Sequence, residues 1–132
     1  MITISTDKTL LDTPFIHAFI SGSYWAEGRS YEDMQTCMDY SLNFGVYLKG
    51  TQIGYARVVS DTVQFAYLMD VFIDPAHRGK GYSKALIAFI LDYLELHKVK
   101  VWRLATKDAH ELYKQFGFRA LQQPGHMLEL KR

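Results

Sequence analysis

The sequence predicts an α/β fold: a mixed sheet, antiparallel in its N-terminal half, completed by one parallel strand–helix–strand crossover. Three observations carry this expectation. Residues 44–59 read as two strands around the turn Lys49-Gly50-Thr51. The apolar run Val63 to Ile73 is long enough to lie inside a sheet and is stopped by Asp74-Pro75. A helical stripe and a further apolar strand then follow in the order a parallel crossover needs.

Taken in order, residues 12–20 carry Phe15, Ile16 and Phe19 at helical spacing, with Asp12 placed to cap and Pro14 suited to the first turn. Ser21 to Ser30, rich in small residues and glycine, reads as a loop. Ser30 followed by Asp33 resembles a capping box and opens a second helix through about Tyr40. Phe44–Leu48 and Gln52–Val59 form the hairpin. The run 63–73 is apolar enough to imply burial on both faces, and proline at 75 cannot extend its ladder. From Tyr82 to His97, the positions Leu86, Ile87, Ile90, Leu91 and Leu94 make one packed stripe. Val99–Ala105 is a strand and Asp108–Phe116 a short helix ended by Gly117. Two short strands, near 118–121 and 126–130, close the chain.

With 132 residues, one domain spanning 1–132 is the natural expectation. Fifteen basic against fourteen acidic side chains leave a net charge of +1, which argues against a nucleic-acid partner. The lone Cys37 cannot form an intramolecular disulfide, which fits a reducing, cytoplasmic setting. Residues 1–7 do not read as a signal peptide, and no run approaches the roughly 20 apolar residues of a membrane span. His17, His77, His97 and His126 lack metal-ligand spacing, so no metal is assigned.

The chemically telling segment is Asp74-Pro75-Ala76-His77-Arg78-Gly79-Lys80-Gly81-Tyr82-Ser83, between the long strand and its helix. Two glycines allow close backbone approach, the helix start offers unpaired N–H groups, and Arg78 and Lys80 add charge. That chemistry selects phosphate or pyrophosphate. A dinucleotide fingerprint needs a third glycine where Lys84 stands. A P-loop fails too, since Gly45 to Gly50-Thr51 lacks the lysine and lies in a hairpin.

Arg78-x-x-Gly81-x-Ser83 and, downstream, Ala109-x-x-x-Tyr113-x-x-x-Gly117-Phe118 together resemble the two signatures of the GNAT superfamily of acetyl-CoA-dependent N-acetyltransferases. Ser83 departs from the family's usual Gly or Ala, though it keeps the position small. The resemblance covers about residues 44–130, and Tyr24-Trp25-Ala26-Glu27-Gly28-Arg29 is similar to a small bacterial branch of the family. It implies an enzyme that moves an acetyl group from acetyl-CoA to a primary amine of a small molecule or peptide by direct attack. The alternative from another class is a non-catalytic acyl-CoA-binding or sensing module.

By the same resemblance, the long strand and the strand near 101–105 splay apart. Backbone groups of Val71, Phe72 and Ile73 hold the pantetheine and thioester carbonyl, and amides from Gly79 through Lys84, including Lys80, Gly81, Tyr82 and Ser83, hold the pyrophosphate. Tyr113 matches the family's proton donor; its competing role is core packing. Asp70, an acid in an apolar strand run, is the first candidate base because burial would raise its pKa; the competing reading is a structural carboxylate bonded to backbone or arginine. Asp108 is the second candidate, against a role as helix N-cap. His110, one turn before Tyr113, reaches the site or is simply solvated. Trp25, Arg29 and Tyr55 are the expected acceptor pocket, where an arginine suits a carboxylate-bearing amine, although Trp25 also fits as a staple of the loop onto the core. Dimers are common in the family, which points to the C-terminal strands as a contact between two copies.

Overall fold

A computed structural model describes residues 1–132. The chain runs β1 (Ile2–Ser5), α1 (Thr13–Ile20), α2 (Tyr31–Asp39), β2 (Leu42–Leu48), β3 (Thr51–Ser60), β4 (Phe65–Ile73), α3 (Tyr82–Leu91), β5 (Val101–Arg103) and α4 (His110–Lys114). The strands form one sheet in the order β1-β2-β3-β4-β5. The first three pairings are antiparallel and β4–β5 is parallel; the hairpin β2–β3, its neighbour β4 and the parallel crossover are those the sequence leads one to expect.

Local chemistry explains most boundaries. Asp12 accepts from the Phe15 amide and Ser30 from the Asp33 amide, so both expected caps form. The hairpin turns on Lys49 and Gly50, both at positive φ (50° and 78°), the geometry of a tight two-residue connection. Strand β4 begins at Phe65 rather than Val63, because the Asp61 carboxylate takes the amides of Val63, Gln64 and Phe65 and holds them in a turn.

The sheet is covered on both faces. On one, α3 lays Leu86, Ile87 and Ile90 against Phe44, Val46, Ala56, Val58, Ala66 and Leu68. On the other, Ile16 and Ile20 of α1 and Met34 and Met38 of α2 pack on Tyr55 and Phe72. Burial along β4 is uneven, however: Ala66 and Leu68 are buried while Tyr67 and Met69 between them are half-buried. No helix is long and apolar enough to cross a membrane.

Several expectations need correcting. The residues before the first helix form β1 on Leu48–Gly45, an element too short and mixed for its pattern to announce. The helix from Tyr82 stops at Leu91, because Tyr93 is extended and His97 bonds back to the Asp92 carbonyl, leaving a single turn at Leu94–Leu96. Strand β5 is cut to three residues, since its pairing ends at Tyr67–Arg103 and the chain then leaves the sheet. The strands expected near 118–121 and 126–130 do not form. Alternation at Leu128-Glu129-Leu130 is a strand pattern with no ladder partner, and both leucines are exposed.

Candidate active site

At the centre of the sheet, β4 contains a bulge. Tyr55 pairs with Phe72 and Arg57 with Met69, so Asp70 and Val71 together face Ala56. Asp70 takes the extra residue's conformation, with φ at 55°, a left-handed geometry that aspartate tolerates better than most residues. Its carboxylate is sealed from solvent and accepts three hydrogen bonds, from Arg57 Nε, Arg29 Nη1 (2.8 Å) and Trp25 Nε1 (2.8 Å). One carboxylate thereby ties together β3, β4 and the loop after α1.

Burial in an apolar strand predicts a raised pKa for Asp70, but its partners reverse the direction. Desolvation does push it up, but the hydrogen bonds and charges of Arg57 and Arg29 outweigh it and hold the carboxyl below the ordinary range. Asp70 is an ionised, fully partnered group.

Beyond Tyr67–Arg103 the parallel strands part, and the β5-facing edge of β4 from Leu68 onward has no strand partner. A groove of about 280 Å³ fills the gap, walled by Tyr24, Trp25, Arg29, Met69, Asp108 and Tyr113 among others. Tyr113 is buried, and its hydroxyl bonds no protein group yet is not sealed. Burial, helped by nearby Tyr24, pushes its phenol up to about 12. Tyr24 stacks edge-on against Trp25, accepts the Lys107 amide and lies under the Lys107 ammonium at 5.6 Å. A second cavity of about 400 Å³ lies beyond β5 and shares Tyr113 as a wall.

The anion turn is built as its sequence suggests. Gly79 and Gly81 sit at φ of 79° and 81°, and a Cβ at either would meet nothing within 4 Å, so space lies open over the backbone. None of the amides from Gly79 to Lys84 has a protein acceptor, and no side chain caps α3. A bound pyrophosphate fits this cradle. Lys80 and Lys84 are exposed beside it. Arg78 instead folds back, its Nε donating to the Ile73 carbonyl at 3.1 Å and its guanidinium lying 5.9 Å from the Phe19 ring. That occupies the Ile73 carbonyl, one of the strand groups expected to face a ligand.

Other expected residues separate. Trp25 and Arg29 line the groove, but Tyr55 does not. It is fully buried between α1, α2 and the sheet, its hydroxyl donates to Asn43 Oδ1, and burial raises its phenol strongly. Its alternation on β3 turns it to the face covered by α1 and α2, opposite Ala56 and Val58. Asp108 does not cap α4, which starts at His110 without a side-chain cap. His110 bonds the Thr106 carbonyl and lines the cavity beyond β5, not the groove. Arg57 was missed, although a lone arginine in the apolar run Ile53–Val59, one strand from a lone aspartate, is a readable sign of a buried pair. Tyr24 was missed as a groove wall.

Compared with known proteins, the profile of the acetyltransferase (GNAT) family matches residues 9–118. A crystal structure of a Xanthomonas campestris pv. campestris protein, named as an acetyltransferase belonging to the GNAT family, agrees with a TM-score of 0.97 at 41% identity, over 100% of this chain and 94% of that one. A Gibberella zeae protein named as an acetyltransferase, with no substrate in its name, is 29% identical over 138 residues, 88% of this chain and 78% of its own. N-acetylglutamate synthase from Neisseria gonorrhoeae, complexed with coenzyme A and N-acetyl-glutamate, shares the fold at a TM-score of 0.76 and 17% identity, over 93% of this chain and 29% of that one.

Proposed function

The chain belongs to the GNAT acetyltransferase family, and on that footing we propose that it acetylates a primary amine of a small molecule or peptide by direct attack. The observation that carries this reading is the parting of β4 and β5, which opens a groove lined by Tyr113 and by Val71, on the strand whose C-terminal turn leaves its amides free. Acetyl-CoA, when bound, supplies the activated thioester.

The chain's own groups then have distinct tasks. Amides from Gly79 to Lys84 hold the pyrophosphate, aided by the α3 dipole and by Lys80 and Lys84. Backbone groups of Val71 on the open strand edge orient the pantetheine; Phe72 turns its backbone to β3, where its carbonyl lies against Gly54, and the Ile73 carbonyl is held by Arg78. Tyr113 donates a proton to the departing sulfur, and its raised pKa keeps the hydroxyl protonated through the neutral range. Asp70 serves as a positioning residue: it holds Arg29 and Trp25 where they form the acceptor wall. Asp108, unpaired and at the groove, takes the place of proton acceptor for the attacking amine.

Thiol release measured over a broad panel of amines tests this. Tyr113→Phe should lower kcat by about a hundredfold, within the usual range for a positioned acid, while coenzyme A affinity stays within about twofold. Full rate in Tyr113→Phe would remove Tyr113 as the acid. Tight cofactor binding with no turnover of any amine would replace the enzyme reading with a binding module.

A further inference from the structure

The groove carries one open cation and one open anion, and their pairing points to the chemistry of the acceptor. Arg29 spends Nη1 on Asp70 and, weakly, on the Met34 sulfur. Its Nε and Nη2 take no protein acceptor and are not sealed from solvent. A guanidinium presents its donors in a fixed fork matched to a carboxylate. The buried cluster does not cancel this charge, because Arg29 and Arg57 share the single carboxylate of Asp70. Asp70 itself has no reach left for a ligand, being sealed and triply bonded. The other carboxylate of the wall is Asp108, which is exposed and forms no ion pair or hydrogen bond within the chain. Lys107, drawn against Tyr24, adds positive charge nearby.

Resting on the acetyl-transfer reading, we infer that the acceptor is a zwitterion, a free amino acid whose carboxylate pairs with the open edge of Arg29 and whose ammonium pairs with Asp108. A polyamine or aminoglycoside places several cations near Arg29 and Lys107 and leaves the Arg29 fork without an acceptor. Trp25 and Tyr24, edge to face, supply an apolar flank for its side chain.

The test uses matched triplets: a free amino acid, its carboxamide, and the amine lacking the carboxyl carbon. Each is assayed for thiol release and, separately, for calorimetric binding to the protein–coenzyme A complex. The free acid should exceed its two partners by at least tenfold in both readouts. Arg29→Gln should erase that preference while leaving coenzyme A affinity unchanged, and Arg29→Lys should restore part of it. Asp108→Asn, at an exposed position, should weaken binding of all three amines about equally. Equal or better use of the carboxamide or of polyamines overturns the inference and leaves the acetyltransferase standing. Acid-selective binding without turnover supports the zwitterion site while overturning the enzyme reading. Absence of acid-selective binding overturns the site whatever the turnover.

Discussion

Replacing Asp70 by Asn separates the two roles a buried carboxylate can have. Asparagine is nearly isosteric and tolerates the left-handed backbone at this position, so the bulge should survive and the change is mainly one of charge. The amide oxygen can keep the Trp25 bond, but it cannot serve both guanidinium donors. Each charge-assisted bond contributes about 1.5–3 kcal/mol. Arg57, with a side chain 7% exposed, has nowhere to be rehydrated, whereas Arg29, at 18%, recovers part of its loss from water. A destabilisation of about 3–4 kcal/mol follows, at the lower end of the usual cost of breaking a buried pair. For 132 residues that lowers Tm by about 11–14 °C. Urea unfolding followed by tryptophan fluorescence, with an unchanged m-value, measures it. Because the folded pKa of Asp70 lies below its unfolded value, the wild type should hold this stability above about pH 4 and lose it as pH falls through the folded pKa; the variant should lack that acid-side loss. A cost under about 1 kcal/mol, with the acid limb of the kcat profile abolished, would show Asp70 to be a base and refute the positioning role.

Two further outcomes bear on the cofactor end and the core. Gly81→Ala forces a side chain into φ of 81°, so it should cost about 1–2 kcal/mol by thermal melt and weaken coenzyme A binding at least tenfold by calorimetry. An unchanged affinity would remove the turn from the pyrophosphate site. Tyr55→Phe strands the Asn43 oxygen in the core and should cost about 1–3 kcal/mol without altering acceptor KM. A shift in acceptor KM at unchanged stability would return Tyr55 to the pocket.

The parts legible in the sequence are those set by local rules. Asp12 and Ser30 capped the helices they were expected to cap, the Lys49-Gly50 turn made the hairpin, and the glycines of 78–83 adopted the left-handed backbone the motif needs. What stayed hidden depends on long-range pairing. Nothing between Met69 and Phe72 reveals a bulge, because the extra residue exists only relative to β3. The pKa of Asp70 turned on two arginines, 13 and 41 residues away in the chain. Tyr55 misled because a strand's alternation gives two faces without saying which one the site uses. The alternating tail at 126–130 misled for the complementary reason, since a strand pattern cannot supply its own partner edge.

The parting of β4 from β5 also bears on how the protein guards a sheet edge. An unpaired strand edge on the outside of a sheet invites association with other chains. Here the unpaired edge lies inside the fold, in a slot that the segment after β5, α4 and the Tyr24–Trp25 loop flank. Those flanking segments stand between the edge and a passing strand. The sheet is in that sense one rung short, and on the proposed reading a bound pantetheine arm would act as a removable strand. It would complete hydrogen bonds that the chain alone leaves open, so occupancy and the rigidity of the C-terminal third should rise and fall together.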